Sequence, residues 1–431
     1  PGALPIANHA AVEMAIKTGL ALGCDIQPTS VFARKNYFYP DLTKGYQISQ
    51  YEFPLCRGGA LDVNINGRTQ RISISRIQLE EDAGKLTHDY GHAAYSHVDF
   101  NRCGVPLIEI ISGPDIRSAA EAVDYLQRLR AILIALDVCD GNMQEGNFRC
   151  DVNVSIRPQG QKEFGTRTEA KNLNSFRAVE RTIQYEIQRQ TEVLTKGQAV
   201  IQETRLWDDA SGTTRGMRSK EEAHDYRYFP DPDLLPVTVA PDWIARVRTT
   251  LPELPVAKAA RFVAQYGLPN YDADVLTTDR DLAQYYEACV KTGGDPKKVS
   301  NWIMTELLRE LKQDDVEIGR CRITPQHLTD LLHLIEEGTI SGKIAKDLFL
   351  EMYRTGADPR TLVREKGLTQ VSDTGELEKI VDQVIAASPK EVEKYRAGQM
   401  GVLGHFVGQV MKATKGKANP NVVNDLLKKK L

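Results

Sequence analysis

Three adjacent carboxylates, Glu80, Glu81 and Asp82, end a run of alternating apolar and polar residues, and Lys85 follows them closely. Neighbouring carboxylates repel one another, so their charge needs compensation by water or by a cation. Carboxylates at a strand end, followed by a lysine, are typical of a site that holds Mg²⁺ and a polyphosphate. A solvated junction between a strand and a turn is the alternative interpretation, which this segment taken alone favours.

Three further polar clusters combine cations with carboxylates in the same way. They comprise residues 99–102 with Glu109, residues 149–153 with Glu145 before them, and residues 169–174. Guanidinium and ammonium groups suit phosphate, whereas carboxylates suit a metal ion or an ammonium group. Together the four clusters predict a nucleotide site built on a sheet, although each could instead be a structural ion pair. The chain has no Walker A motif, dinucleotide-binding glycine motif or kinase signature.

The segments that carry these clusters have the pattern of strands. Residues 61–65 and 71–79 predict a hairpin around Asn66-Gly67, which is a strong turn signal. Residues 149–157 alternate without interruption, so one face of that strand is apolar and the other is polar.

The alternation in residues 71–79 slips by one position near Ser75-Arg76. Beyond the slip, Arg76, Gln78 and Glu80 share the face opposite the apolar residues. The slip therefore gathers polar side chains on one surface of the sheet.

Helices are predicted between these strands. Residues 11–22 form one, Ser118 opens a second with a capping box, and a third follows from about Ser175. Residues 107–111 read as a buried strand that carries one acid, Glu109. This order predicts an α+β fold in which a largely antiparallel sheet forms one wall of a site.

The second half of the chain has a different pattern. A linker is predicted at residues 252–255, and strand signals are absent beyond it. A helical domain to about residue 366 and a small helical tail are expected. Between Lys390 and Leu431 nine Lys and Arg face three acids, a net charge of +6, although the whole chain carries −3. A basic tail on an acidic chain indicates a polyanionic partner, or else a solvated helix end.

Composition excludes several classes of protein. No apolar run approaches the length that spans a bilayer, so no membrane is expected as a partner. Seven cysteines are scattered without a C-x-x-C pair, which is typical of reduced thiols rather than a zinc site or a disulfide framework.

Ten stretches of the chain resemble one family closely. They are residues 34–41, 45–50, 79–85, 99–110, 149–153, 169–176, 202–205, 225–230, 408–413 and 418–420. The chain resembles the GatB/GatE family, which includes the B subunits of aspartyl/glutamyl-tRNA amidotransferases. The resemblance implies a cradle domain with a glutamine-synthetase-like sheet at 1–245, a helical domain at 246–366 and a YqeY-like tail at 367–431.

The resemblance also implies an activity. A partner A subunit hydrolyses glutamine, and its ammonia reaches the B subunit. There ATP, with Mg²⁺, phosphorylates the side-chain carboxylate of Glu-tRNA(Gln) or Asp-tRNA(Asn), and ammonia converts the acyl phosphate to an amide. A C subunit completes the expected complex, in the cytoplasm or in an organellar stroma or matrix. The family's first strand carries a Glu-x-His motif for Mg²⁺, and we expect it to precede Pro1 in a longer chain.

Residue roles follow from this resemblance. The expected catalytic residues are Glu81, Lys85, Arg149 and Asp151. The expected nucleotide-binding residues are Lys85, Arg102, Arg149, Asn153, Lys171 and Asn172. The expected Mg²⁺ ligands are Glu80, Glu81 and Glu169, and the expected tRNA-binding residues are Lys412, Lys415 and Lys417. Two other functions remain open: a tRNA-binding scaffold without catalysis, and a ligase acting on free small acids, which the basic tail disfavours.

Overall fold

The chain forms two compact units, Pro1–Ala257 and Lys258–Leu431. The computed structural model describes residues 4–87, 97–219, 226–314, 316–368, 374–414, 418 and 420–431. Its strands are β1 (Asp25–Ile26), β2 (Thr29–Ser30), β3 (Ala33–Asn36), β4 (Tyr46–Ser49), β5 (Cys56–Arg57), β6 (Ala60–Ile65), β7 (Arg68–Glu81), β8 (Lys85–Thr87), β9 (His97–Asp99), β10 (Pro106–Ser112), β11 (Val152–Val154), β12 (Thr168–Lys171), β13 (Glu203–Asp208), β14 (Thr213–Ser219), β15 (Phe229–Pro230) and β16 (Val237–Thr238). Its helices are α1 (His9–Ala21), α2 (Ala119–Ala135), α3 (Phe176–Thr195), α4 (Pro241–Thr249), α5 (Pro255–Tyr266), α6 (Asn270–Thr277), α7 (Arg280–Lys291), α8 (Pro296–Trp302), α9 (Leu308–Asp314), α10 (Pro325–Glu336), α11 (Gly342–Thr355), α12 (Pro359–Lys366), α13 (Thr374–Ala387), α14 (Pro389–Arg396), α15 (Leu403–Ala413) and α16 (Pro420–Lys430). The predicted α+β class is confirmed.

Strands β6 and β7 form the predicted hairpin, with Ile65 opposite Arg68. Asn66 and Gly67 have φ angles of 51° and 76°, which lie in the left-handed region. A tight hairpin turn needs two such residues, and Asn followed by Gly adopts them at little cost. The turn therefore sets the register of β7.

A β-bulge in β7 confirms the predicted slip. Along the antiparallel pair with β10, Ile111 lies opposite Arg76 while Ser112 lies opposite Ile74, so Ser75 is the extra residue. A bulge of this kind redirects the side chains that follow it. Because of it, the isoleucines on both sides of Ser75 are buried, and Arg76 turns to the polar face.

Helices cover the apolar faces of two sheets in the first unit. Helices α1 and α2 pack on the first sheet, whose strand order is β1-β5-β7-β10. Helix α3 packs on the second sheet, of order β11-β12-β13-β14, in which only β12 and β13 are parallel among the described pairs. The strand expected at 149–157 shortens to Val152–Val154, because its partner β12 offers only Thr168–Lys171 for pairing.

Two local predictions were wrong in detail. Ser118 accepts a hydrogen bond from the Glu121 amide at 3.2 Å, but the Glu121 carboxylate accepts from the amide of Arg117, at 2.6 Å, instead of closing the box on Ser118. Strand β10 is half-buried rather than buried, because it lies at one end of the first sheet as described.

Late strands of the first unit pair with early ones. Strand β15 pairs with β3, and β16 pairs with β2. Arg34 on β3 donates to Asp231 at 2.9 Å and to Asp233 at 2.8 Å, just after β15. Asn36 donates to the carbonyls of Tyr226 and Arg227. These bonds join segments that lie far apart in the chain.

The second unit is helical throughout its described part, as predicted. Helices α5 to α12 surround a core that includes Phe262, Tyr286 and Phe349. Thr324 caps α10 ahead of Pro325, as predicted. Helices α13, α15 and α16 enclose a separate core around Phe406. None of the helices in the described residues is both long and apolar enough to cross a bilayer.

Buried Glu186 on α3 ties that helix to the second sheet. Its carboxylate accepts from Thr168 on β12 at 2.8 Å and pairs with Arg189 at 2.8 Å and with Arg205 on β13 at 3.2 Å. Burial alone would raise the pKa of Glu186, but hydrogen bonds from Arg189, Thr214 and Thr168 lower it to about 2. The ionised form therefore stabilises the fold above the ordinary pKa of 4.5, and this contribution is lost as the pH falls toward 2.

We expect Glu186→Gln to lower the free energy of unfolding at pH 7 by about 3 kcal/mol, because it leaves the partly buried Arg189 without its carboxylate and Arg205 with Glu203 alone. Glu192→Gln, at an exposed position of the same helix, is the matched control and should be nearly neutral. Urea denaturation at pH 7 measures both. Equal stability of the two variants would contradict the role of Glu186.

Candidate active site

The centre of the polar face is a pair of carboxyl groups bridged by an amide. Gln78 on β7 lies opposite Glu109 on β10, and its Nε2 donates to Glu109 at 2.6 Å and to Glu80 at 3.0 Å. Ser49 on β4 donates to Glu80 at 2.6 Å. Gln78 is only 4% exposed. Two acids therefore share one amide in a site that excludes most water.

The environment favours the neutral form of Glu109. Burial and the neighbouring charge of Glu80 raise its pKa to about 7, and the cations Lys35 and Arg76 offset this only partly. The Oε1 atom of Gln78 is buried and has no hydrogen-bond partner among the described residues. Two close carboxyl groups without a cation between them in the described part of the chain are the kind of pair that a metal ion would stabilise.

Lys171 on β12 lies on the polar side of the second sheet. Its ammonium group pairs with Asp151 and lies 3.9 Å from Glu169, which accepts from Thr204 at 3.0 Å. Burial alone would lower the pKa of Lys171, but the carboxylates of Asp151, Glu169 and Glu109 hold it above its ordinary value. The charge of Glu109, on the first sheet, thus acts on Lys171, on the second sheet.

Asp82 binds both of the arginines that are expected to bind nucleotide, Arg102 and Arg149. Its buried carboxylate accepts from Arg102 Nε at 3.2 Å and from Arg149 Nη2 at 2.7 Å. Arg102 also donates to the Asn147 side chain at 3.0 Å and to the Glu145 carbonyl at 3.1 Å. Both guanidinium groups remain 40–48% exposed, so two positive charges around one negative charge can meet an anion.

Glu81 points away from Glu80, as neighbours on a strand do. Its carboxylate pairs with Lys44 and accepts from the Ile48 amide at 2.8 Å. Glu169 lies on the second sheet, bonded to Thr204. No group of three His, Cys, Asp or Glu side chains within the described residues could hold a metal ion.

The other expected residues lie at varied places. Lys85 is exposed on β8, opposite Asp99. Asn153 lies in register with Glu169. Asn172 follows β12 with a φ of 69°, and its side-chain amide donates to the Trp207 carbonyl at 3.1 Å, which is a structural bond. In the tail, Lys412 is exposed on α15, whereas Lys415 and Lys417 lie outside the described residues.

Sequence reasoning missed the aromatic side of the site. The rings of Tyr51 and Tyr228 stack with centroids 4.4 Å apart, and the charges of Glu80 and Glu109 both act on Tyr228. The residue types of the segment from Tyr226 to Pro230 suit stacking on a base or ribose as well as a protein interface or core edge, and taken alone they favour the interface or core edge. Its pairing with β3, which residues near in sequence cannot indicate, brings it to the site.

Comparisons with known proteins point to one family. A model of the GatB/GatE catalytic domain matches residues 1–245, and a model described as a GatB domain matches residues 284–431. The B subunit of the aspartyl/glutamyl-tRNA(Asn/Gln) amidotransferase of Syntrophotalea carbinolica is 58% identical over 431 residues, which cover 100% of this chain and 90% of the relative. The protein of the same name from Thermodesulfovibrio yellowstonii is 56% identical over 427 residues, covering 99% of this chain and 90% of the relative. The chain belongs to the GatB/GatE family.

Proposed function

We propose that this chain is the part of a tRNA-dependent amidotransferase that activates and amidates an acidic aminoacyl group. ATP transfers its terminal phosphoryl group to the side-chain carboxylate of Glu-tRNA(Gln) or Asp-tRNA(Asn). Ammonia, released from glutamine by a partner A subunit, then attacks the acyl phosphate and expels phosphate. A carboxylate alone is a poor electrophile, so phosphorylation supplies the leaving group that amide formation needs.

The Glu80–Gln78–Glu109 arrangement is the observation that carries this proposal. A merely structural polar face would not bring two half-buried carboxyl groups together around one buried amide, because their repulsion costs stability. The relatives that match the whole chain are named as B subunits of aspartyl/glutamyl-tRNA amidotransferases. The reaction in that name forms an amide at a carboxylate. A site with two adjacent carboxyl groups, which can hold a cation, suits a reaction of negatively charged substrates.

Mg²⁺ fits this site by the chemistry of its donors. Glu80 and Glu109 offer the carboxylate oxygens that Mg²⁺ prefers as ligands. When bound, Mg²⁺ would neutralise charge on the transferring phosphoryl group. Glu81 and Glu169 also remain predicted Mg²⁺ ligands, although Glu81 points away from Glu80 and pairs with Lys44.

Positive groups on both sides of the carboxyl pair would hold the nucleotide. Arg102 and Arg149, oriented by Asp82, would meet its phosphates, with Lys85 and Lys171 as further cations. Because Asp82 fixes both guanidinium groups before ATP arrives, little reorganisation would accompany binding. Asn153 and Asn172 are weaker candidates for the same role, and Asp151 would hold the Lys171 ammonium group in place.

The basic tail would meet the phosphate backbone of the tRNA. Lys412, Lys415 and Lys417 are the residues proposed for this contact, whose strength should fall with rising salt. A C subunit would complete the complex with the A subunit.

We expect Glu80→Gln, in the reconstituted complex, to lower amide formation at least about a hundredfold while glutamine hydrolysis continues, because transition-state charge loses its compensation. Both products are measured in one assay. Glu52→Gln, an exposed substitution in the same unit, should behave as the wild type.

Normal amide formation by Glu80→Gln would rule out the assigned carboxyl pair. A wild-type complex that binds tRNA but forms neither acyl phosphate nor amide with ATP would instead favour the non-catalytic scaffold.

The raised pKa of Glu109 predicts a pH dependence of stability. Protonated Glu109 stabilises the fold most fully below the ordinary pKa of 4.5, and this contribution is lost as the pH rises through about 7. Between pH 5 and pH 8 the wild type should lose about 2 kcal/mol more unfolding free energy than Glu109→Gln, which cannot ionise. Added Mg²⁺ should reduce that loss in the wild type alone. Parallel pH profiles of the two proteins, measured by urea denaturation, would refute the shift.

A further inference from the structure

Arg76 is a cation that the fold directs to the polar face. The bulge at Ser75 turns its side chain to the same face as Gln78 and Glu80. Its Nε atom is buried and meets no hydrogen-bond acceptor among the described residues. A buried donor without an acceptor costs free energy, so an acceptor that comes from outside the chain would stabilise Arg76 in this place.

The surroundings of Arg76 are cationic and aromatic. Its guanidinium carbon lies 5.9 Å from the centroid of the Tyr51 ring, which stacks on Tyr228. Lys35 contributes a second positive charge, with its Nζ atom 4.8 Å from the Tyr226 ring centroid. The charges of both cations act on Glu109. Two cations and a stacked aromatic wall therefore adjoin the carboxyl pair.

A small planar oxyanion with an apolar stem suits these surroundings. A guanidinium group matches a carboxylate through two parallel hydrogen bonds. The methylene groups of an acidic side chain can pack on the stacked rings, as apolar groups do. Arginines that are exposed and suited to a polyphosphate already lie around Asp82, which leaves Arg76 for a single oxyanion.

We propose that Arg76, supported by Lys35, binds the side-chain carboxylate of the acidic aminoacyl group against the stacked rings of Tyr51 and Tyr228. The inference rests on the proposed function, because it names the residues by which that site recognises its substrate. Arg76 would thus distinguish the acidic substrate from the amide product, which has no negative charge.

The test measures binding without reaction. The reconstituted complex, without ATP, is titrated with one tRNA(Gln) in three forms: charged with glutamate, charged with glutamine, and uncharged. The wild type should bind the glutamate form about tenfold or more tightly than the glutamine form, as expected for a charge-assisted hydrogen bond. Arg76→Gln should abolish this preference and leave the affinity for uncharged tRNA unchanged.

Arg71→Lys is the matched control, because Arg71 lies on the same strand and its side chain is 73% exposed. It should keep the wild-type preference. Should Arg76→Gln fail to fold, Arg76→Lys carries the test, since an ammonium group keeps the charge but loses the paired bonds and should lower the preference severalfold.

Three outcomes would overturn the inference. The first is a wild type that binds the glutamate and glutamine forms equally, and the second is an Arg76 variant that keeps the full preference for the glutamate form. The third is an Arg76→Lys variant that raises the KM for ATP but not the KM for Glu-tRNA(Gln). The last would assign Arg76 to nucleotide phosphate. Failure of the proposed function is distinguishable, because it would appear as a wild-type complex that forms no amide.

Discussion

The register of β7 is the constraint on which the rest of the first unit depends. Side chains alternate between the faces of a strand, so a shift of one residue would exchange the core with the site. The turn at Asn66-Gly67 sets this register at one end, and the bulge at Ser75 corrects it midway. Only with both in place do the isoleucines stay buried while Arg76, Gln78 and Glu80 share the polar face.

Electrostatic repulsion then gives that face its character. Glu80 and Glu109 are held together by cross-strand pairing, and the protein offers them one shared amide and no direct ion pair within the described residues. Glu186 shows the contrasting solution, because a buried carboxylate surrounded by arginines has a lowered pKa and stabilises the fold. A glutamate whose charge is paired with arginines, such as Glu186, thus stabilises the fold. Glutamates that pair with no cation in the described part of the chain, such as Glu80 and Glu109, are instead candidates for a chemical role.

Local features of this site follow from the sequence, and non-local ones do not. The hairpin, the slip at Ser75 and the start of α3 after Ser175 depend on residues close together in the chain, and all three were predicted. The partnership of Gln78 with Glu109 requires the register between β7 and β10, which no short pattern encodes. By residue type alone, Glu81 and Glu80 are equivalent. In the structure their side chains point to opposite faces of β7, and Glu81 pairs with Lys44.

Asn172 illustrates the remaining difficulty. Its place in a polar run predicts a ligand-binding amide, and its left-handed backbone and its bond to Trp207 give it a structural task as well. Such a role depends on β13, which follows only after the whole of α3. Residue type alone could not separate the two roles.

The pairing of β15 with β3 has a consequence for how the first unit is made. Arg34 and Asp231 are 197 positions apart, so one edge of β3 stays unpaired until a ribosome has synthesised nearly the entire unit. At about 5–20 residues per second, that interval lasts on the order of ten seconds or more. Long-range pairing of this kind slows folding, and an open strand edge invites association with other chains. The aromatic segment at β15 therefore has two roles. It completes the site, and its late synthesis ends the period in which the edge of β3 is open to other chains.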